Sequence, residues 1–423
     1  MSVALLGLQK LIRFAWSSRK LQSDAGFSPI LSMESSFPDR YKPIAQTAQA
    51  VDAPLRLAMV SCGLGYVNRG FEVSTARWYS SLKKDPRLNV RLFSGGTYPE
   101  STVVANLPRD FLLRWPLFIA SLFNKRRVWE FAYGAEMVTF AVGLLPHLIS
   151  FRPDVVWTKE APFGYVLIFF RDLLKLKFKV VIANGGGFKP NTIKLFDFVQ
   201  HLQPTSFETA LSFGIPREKM QVLPHFARYI QPQESRDQVR KEFGLEEDDF
   251  AVIVVSAWNC YHKRIDYIIN EVAQINDPKV KLILCGHPEP DTAFLKDLGK
   301  KVLGDRIQWL TLPAEGVHKA LYASDCYVIA SIDEVFGAAT VEAALAERPI
   351  VCHPNAGTKY ILGDYVGDTD LSSPGALALG LMQVRQNPPS ADRLKAIRNS
   401  VNSKFSEEVL SAQFVEAVVG LKN

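Results

Sequence analysis

The strongest constraint on the fold is a regular alternation of short apolar runs with segments of helical length. Short buried runs spaced by helices are typical of a parallel β-sheet with helices on both faces. The first set of runs lies at 57–61, 90–93, 155–158, 180–183 and 221–223. A proline- and charge-rich stretch at 231–240 interrupts the pattern, and a second set follows at 250–256, 280–285, 307–310, 326–330 and 350–353. The chain is therefore expected to form two doubly wound, Rossmann-like α/β domains.

The length of the chain also favours two domains. Its 423 residues, 48% of them hydrophobic, are more than one ordinary core holds. The predicted divisions are an irregular leader over 1–53, a first domain over 54–232, a second over 233–404 and a closing helix over 405–423. Ligands of open parallel sheets bind beyond the carboxyl ends of the strands, so the two domains are expected to face each other across a ligand-binding cleft.

Positive charge is concentrated in the first half of the chain. Residues 54–230 hold 23 Lys and Arg against 12 Asp and Glu, so this stretch carries +11 in a chain of formal net charge +6. Such a basic region predicts an anionic partner, such as a lipid surface or a phosphorylated acceptor. No nucleic-acid partner is expected, because helix-turn-helix, zinc-finger and RNP signatures are lacking.

The cysteines and the apolar runs indicate a cytoplasmic protein that is not integral to a membrane. The five cysteines are scattered and form no CxxC pair, which is typical of reduced thiols. No apolar run reaches the roughly 18 residues of a spanning helix, since 111–123 is broken by Arg114 and Pro116 and 137–149 is too short.

Two segments leave the membrane question open. The first 20 residues are basic and apolar with no acid, which suits an interfacial helix, a cleaved targeting segment, or an upstream extension of a chain that starts at Met33. The run 111–129 contains Lys125, Arg126 and Arg127, which suits either a membrane-surface helix or an ordinary helix with a basic solvent face.

The segment 331–342, SIDEVFGAATVE, carries most of the predicted chemistry. It follows a buried strand and opens an alanine-rich helix, so its first backbone N–H groups are expected to bind phosphate. The residues placed there are Phe336, Gly337 and Ala338. Glu342, about one turn into the helix, suits a ribose diol. Glu334, in the loop before the helix, suits the hydroxyls of a sugar.

Glu334 and Glu342 resemble the E-x7-E signature of the retaining glycosyltransferases of family 4. The resemblance covers roughly residues 55–421 and is strongest in the second half. It implies the GT-B fold, a second domain that binds a UDP- or GDP-sugar, and a first domain that holds a glycan, lipid-linked or small-molecule acceptor. It also implies that the last helix crosses back to the first domain.

A second match is the segment 255–269, VSAWNCYHKRIDYII, where Lys263 takes the place of a family lysine. An ammonium group there would stabilise the departing diphosphate. The family also has an arginine five residues earlier, where this chain has Trp258. Arg264 or Arg69 is the candidate for that second cation, and a solvated helix charge is the alternative for Arg264.

In the first domain, the segment 61–70, SCGLGYVNRG, resembles the family's glycine-rich loop, which places Gly63 and Gly65 against the donor phosphates. A tight strand-to-helix turn is the alternative. Asn184 stands where relatives often have a histidine, and it cannot take a proton. Glu160 is either an acceptor-binding acid or a loop cap.

Together these features predict a retaining hexosyltransferase that needs no cofactor and no metal, with Glu334 and Lys263 as its catalytic residues. It is expected in the cytoplasm, either free or peripheral at a membrane. Two alternatives remain: a catalytically silent GT-B binding protein, which Trp258 and Asn184 favour, and a nucleotide-sugar epimerase.

Overall fold

The structure is a computed structural model that describes residues 53–66, 70–109, 111, 117–185 and 190–422. The side chains of 71, 117–130, 184, 190 and 191 lie outside this description. The predicted leader and Arg69 also lie outside this description, so the alternatives given for the first 20 residues stay open. The chain divides into unit 1, which runs to Leu223 and resumes at Ser411, and unit 2, Pro224–Leu410.

Unit 1 is a seven-stranded parallel sheet with helices between the strands. Its strands are β1 (Leu55–Ser61), β2 (Leu88–Ser94), β3 (Ser101–Val103), β4 (Val155–Thr158), β5 (Lys179–Asn184), β6 (Phe198–His201) and β7 (Met220–Val222). Its helices are α1 (Gly70–Leu82), α2 (Leu117–Phe151), α3 (Ala161–Leu173), α4 (Pro190–Ile193) and α5 (Pro204–Ser212). The strand order is β3-β2-β1-β4-β5-β6-β7.

Unit 2 is a five-stranded parallel sheet in the order β10-β9-β8-β11-β12. Its strands are β8 (Phe250–Val255), β9 (Val280–Cys285), β10 (Ile307–Leu310), β11 (Cys326–Ile329) and β12 (Ile350–Cys352). Its helices are α6 (Arg236–Glu242), α7 (Ile265–Gln274), α8 (Thr292–Leu303), α9 (Ala314–Ala323), α10 (Ala338–Leu345), α11 (Ala356–Leu362), α12 (Ala376–Gln386) and α13 (Ala391–Phe405). The unit boundary at Leu410 falls inside α14 (Glu407–Val419).

The ten predicted strands are all present, which confirms the two parallel α/β sheets. Apolar strand residues such as Leu57, Val155, Val252 and Val328 are buried, as expected where helices cover both faces. Two strands were missed, β3 and β6. They span three and four residues, too short to show a period.

The long helix α2 corrects one prediction. The sequence placed its apolar stretch at 137–149, whereas the segment Phe131–Phe151 is 21 residues long with a mean hydropathy of 1.4, so length and composition alone would let it cross a membrane. One side of the segment packs into unit 1, where Phe140 lies edge-on against Phe163 with ring centroids 5.6 Å apart. Buried Glu136, in the same segment, pairs with Arg109.

Each sheet has one switch point, where the strand order reverses direction. In unit 1 it lies between β1 and β4, which pair in register from Leu57 opposite Val155 to Val60 opposite Thr158. In unit 2 it lies between β8 and β11. Because the chain leaves the two central strands toward opposite edges, a crevice forms beyond their carboxyl ends, and ligands of such sheets bind there.

Candidate active site

Two loops meet at the switch point of unit 2. One, residues 256–264, connects β8 to α7, and the other, residues 330–337, connects β11 to α10. Lys263 of the first loop forms an ion pair with Glu334 of the second through Nζ and Oε2. The two side chains are only 17% and 10% exposed, so the pair is partly shielded from water. The structure thus brings together the two residues predicted to be catalytic.

The first loop is held by a residue that the sequence analysis missed, Asn259. Its side chain is buried, and its Oδ1 accepts hydrogen bonds from the backbone N–H groups of His262 (3.1 Å) and Lys263 (2.8 Å). Its Nδ2 donates to Glu289 Oε2 at 3.0 Å, in the loop after β9. The Cys260 N–H donates to Asp291 Oδ2 at 2.9 Å in the same way. These bonds fix the backbone that presents Lys263.

The second loop ends at Gly337, the N-cap residue of α10. Its φ of 67° is left-handed, which glycine adopts without the steric cost that a Cβ would bring. The helix begins at Ala338, so the first N–H groups of α10 point out of its N-terminus and attract an anion. A Cβ on Gly337 would lie 3.3 Å from Glu334 Cγ, which places Glu334 beside this helix end.

Phe336 precedes the N-terminus of α10, and Glu342 lies inside the helix. The ring of Phe336 is buried and packs on Phe405, with centroids 5.4 Å apart, so the side chain anchors the loop and only its backbone can meet a donor. Glu342 is the fifth residue of α10 and is also largely buried. Glu342 lies just over one helical turn beyond Gly337, and this is the position that the sequence analysis assumed when it predicted a contact with ribose.

Arg264 is engaged in holding the loop. It has a left-handed φ of 52°, and its guanidinium donates to the carbonyl oxygens of Leu371 (2.6 Å) and Ala330 (3.2 Å). It also lies 4.1 Å from the ring centroid of Tyr267. Trp258 is buried edge-on against Trp309, 5.0 Å between centroids. The position of the expected family arginine is therefore apolar, and a donor contact by Arg264 stays a prediction.

The glycine-rich loop lies at the switch point of unit 1, directly after β1. The Cys62 N–H donates to Glu160 Oε2 at 3.0 Å, and Glu160 follows the neighbouring strand β4. Burial raises the pKa of Glu160 to about 7. Glu160 therefore ties the ends of two strands together, which is the loop-capping alternative, and a contact with acceptor stays a prediction.

Tyr66 fastens the other end of this loop. Its hydroxyl lies against Glu136 and is 2.6 Å from the Cys62 carbonyl oxygen. Glu136 Oε2 in turn lies 2.6 Å from Arg109 Nε, and both charged groups are buried. This network of Tyr66, Glu136 and Arg109 is the clamp of the glycine-rich loop. Sequence analysis missed it because its members are up to 70 residues apart.

The predicted donor-binding glycines hold tight backbone positions. Gly65 has a φ of 101°, and a Cβ there would lie 2.3 Å from the backbone carbon of Gly96. Gly63 accepts a hydrogen bond from the Tyr66 N–H at 3.3 Å, which closes a turn. Asn184 is the last residue of β5, opposite His201. The Asn184 side chain lies outside the described residues, so its role stays a prediction.

Residues 235–399 match the family model for glycosyl transferases group 1. This segment is therefore similar to the glycosyl transferases group 1 domain. It contains Lys263, Glu334, Gly337 and Glu342, so the residues that meet at the switch point of unit 2 belong to the matched segment. The clamp and the glycine-rich loop lie outside it.

Two curated relatives come from Streptococcus pneumoniae. Alpha-galactosylglucosyldiacylglycerol synthase is 24% identical over 265 residues, 58% of this chain and 68% of that protein. Alpha-monoglucosyldiacylglycerol synthase is 26% identical over 166 residues, which is 36% of this chain, and the chain spans only about a third (36%) of that relative's length.

Among solved structures, Anabaena HepE in complex with UDP-glucose has a TM-score of 0.68 at 14% identity, covering 86% of this chain and 100% of HepE. A likeness at this level of identity is one of fold. The predicted GT-B fold is confirmed, as is the predicted resemblance to glycosyltransferases.

Proposed function

We propose that this group 1 glycosyltransferase is a retaining hexosyltransferase that moves a hexose from a UDP-sugar to a hydroxyl of a diacylglycerol-based lipid. The observation that carries the proposal is the Lys263–Glu334 pair beside the N-terminus of α10. Support for the donor comes from HepE, which was solved with UDP-glucose. Support for the acceptor comes from the two relatives named as glycosyldiacylglycerol synthases.

The donor is proposed to lie along α10 and the Lys263 loop. Glu342 accepts hydrogen bonds from the ribose diol, and Glu334 accepts them from hydroxyls of the hexose. The diphosphate meets Lys263 and the N–H groups of Gly337 and Ala338. These donors are already oriented by the helix and by Asn259, so little reorganisation is needed when charge develops on the leaving group.

The proposed transfer occurs on one face of the sugar. The bond from the anomeric carbon to the diphosphate oxygen breaks, and a bond from the same carbon to the acceptor oxygen forms. The electron pair of the broken bond stays on the diphosphate, which also takes the proton of the attacking hydroxyl. Configuration is retained because attack and departure share a face, and neither a metal nor a cofactor is required in this scheme.

Unit 1 is proposed to hold the acceptor. Its switch point places Glu160 and the glycine-rich loop with Gly63 and Gly65 beyond adjacent strands, and Asn184 ends a third. Hydroxyl groups of an acceptor suit the carboxylate and amide of Glu160 and Asn184. The predicted contact of Gly63 and Gly65 with the donor phosphates stays a prediction.

The protein is proposed to work in the cytoplasm at a membrane surface. Leu107, Phe111 and Phe131 are large apolar side chains of unit 1 that are 44–58% exposed. They lie in or beside a stretch that is strongly basic in sequence, and apolar contact together with basic charge is what binds a protein to an anionic bilayer.

Transfer is tested with vesicles that contain diacylglycerol or glucosyldiacylglycerol and with radiolabelled UDP-glucose, UDP-galactose and GDP-mannose. We expect labelled glycolipid from a UDP-sugar, with the anomeric configuration of the donor by NMR. Glu334→Ala should abolish transfer, whereas Glu242→Ala, an exposed acid of the same unit, should not. Epimerised sugar without lipid product, or no reaction with any donor, would overturn the proposal.

The membrane contact is tested by sedimentation with vesicles of anionic and of zwitterionic lipid. Binding to the anionic vesicles should fall in Phe131→Ser. Phe213→Ser, at an equally exposed phenylalanine after α5, is the matched control. Equal loss in both variants, or none in either, would contradict a contact through α2.

A further inference from the structure

Charge in the donor site of unit 2 depends on one more residue, His262. Lys263 and Glu334 neutralise each other, so the pair presents no net charge to a diphosphate. The guanidinium of Arg264 is committed to two backbone carbonyls. His262, next to Lys263 in the chain, is a further group that can carry a positive charge there.

The imidazole of His262 bridges the two site loops. Its Nε2 lies 3.0 Å from the Asp333 carbonyl oxygen and 3.9 Å from Glu334 Oε2. Its backbone N–H is fixed by Asn259. The side chain is 41% exposed, so it lines the open side of the Lys263–Glu334 pair where a ligand can reach it.

The hydrogen bond to Asp333 also determines which ring nitrogen is left to accept a proton. A carbonyl oxygen only accepts, so Nε2 carries a hydrogen in both charge states. Protonation therefore occurs at Nδ1, for which the described part of the chain offers no partner. A proton there gives the ring both a positive charge and a free donor.

Acidic and basic groups from three loops surround the ring. Glu334 faces it from the loop after β11, and Lys263 is the opposing cation on its own loop. From the loop after β9, Glu289 bonds to Asn259 and to the Tyr261 hydroxyl, and Asp291 bonds to the Cys260 N–H. Both of these acids engage the residues that precede His262.

We propose that His262 contacts the diphosphate or the adjoining sugar of the donor, and that a positive charge on its imidazole makes donor binding stronger. This inference rests on the proposed function and adds a ligand-contacting residue to it. By linkage, a dianionic ligand binds more tightly to the protonated ring than to the neutral one.

The experiment measures the Kd of UDP-glucose by calorimetry from about pH 5.5 to about pH 8, the range in which histidine changes charge. UDP-glucose is used in place of UDP because its phosphates are both esterified and do not titrate in this range, whereas a terminal phosphate does. For the unaltered protein we expect Kd to rise about fivefold to tenfold across the range.

Two substitutions separate charge from position. His262→Gln keeps an N–H donor for the Asp333 carbonyl but no charge, and should bind with the weaker affinity at every pH. His262→Lys carries a permanent charge and should hold the tighter affinity at every pH. His147→Gln, in α2 of unit 1, should keep the profile of the unaltered protein.

The outcomes are distinguishable. A pH-independent Kd in the unaltered protein, or a pH dependence that survives in His262→Gln, would overturn the role of His262 while leaving the proposed donor in place. No binding of any nucleotide sugar at any pH would instead overturn the proposed function.

Discussion

The switch points of the two units hold charge in different surroundings. In unit 2, Lys263 and Glu334 come from loops after neighbouring strands, and both side chains keep some contact with solvent. In unit 1, Glu136 and Arg109 of the clamp are 0% and 8% exposed. The first pair is therefore somewhat more open to solvent than the second. We infer that unit 2 uses its charges for binding and chemistry, and that unit 1 uses the clamp to shape a loop.

The largest expected effect is on the clamp. Glu136→Ala leaves Arg109 buried without its partner and should lower the free energy of unfolding by about 3–5 kcal/mol. Urea unfolding of both variants provides the measurement, with Glu416→Ala as the control, because Glu416 forms an exposed ion pair with Arg87 in the same unit. The control should lose less than about 1 kcal/mol. Equal losses would remove the contrast between the units.

The next effect is on catalysis in unit 2. Lys263→Ala should lower kcat/KM for the donor by about 100-fold to 1,000-fold, because a preorganised cation for the leaving group is lost. Lys300→Ala, on the exposed face of α8, should leave kcat/KM unchanged. If Lys263→Ala keeps full activity, the ion pair is structural and unit 2 resembles unit 1.

The free energy of unfolding is expected to depend on pH through Glu160 of unit 1. Burial raises its pKa from 4.5 to about 7, so the protonated form favours the folded state. The stabilisation is full below about pH 4.5 and is lost as pH rises through about 7, a difference of roughly 3 kcal/mol. The unfolding free energy of the unaltered protein minus that of Glu160→Gln should fall by this amount. A difference that rises with pH would show that the carboxylate is stabilised as the anion.

The smallest expected effect is the difference in stability cost between alanine substitutions at Gly337 and at Gly65. Gly337→Ala should cost about 1–2 kcal/mol, because its φ is left-handed while the nearest atoms to its Cβ belong to the Thr340 and Glu334 side chains, at 3.2–3.3 Å. Gly65→Ala should cost more, because its Cβ would overlap the backbone of Gly96. Thermal unfolding of both variants measures the difference. A smaller loss of stability in Gly65→Ala than in Gly337→Ala would contradict the tight packing of the loop in unit 1.

The same contrast explains what the sequence predicted. Glu334, Gly337 and Glu342 lie within nine residues, so one segment after a buried strand was enough to place them. Lys263 was found because its segment resembles a family segment in which a lysine precedes the helix that follows a strand. In each case the chemistry follows from local order in the chain, and the parallel sheet brings the two segments together.

What was missed depends on contacts that no local pattern records. Asn259 became visible only through its bonds to the two following residues and to Glu289, in a loop 30 residues away. Glu136 lies in an apolar helix, where a lone acid has no spacing to mark it. The polar residues that follow β9 are the signal that could have pointed to Glu289 and Asp291.

The central claim is that unit 2 binds a nucleotide sugar through Glu342. It is tested most directly by thermal unfolding with UDP-glucose, UDP-galactose and GDP-mannose, for the unaltered protein, Glu342→Ala and the surface control Glu347→Ala. A ligand at 100 times its Kd stabilises the folded state by about 2.7 kcal/mol. The account predicts that a UDP-sugar raises the Tm of the unaltered and control proteins and that Glu342→Ala loses the shift. No shift with any sugar, or the same shift in Glu342→Ala, would contradict it.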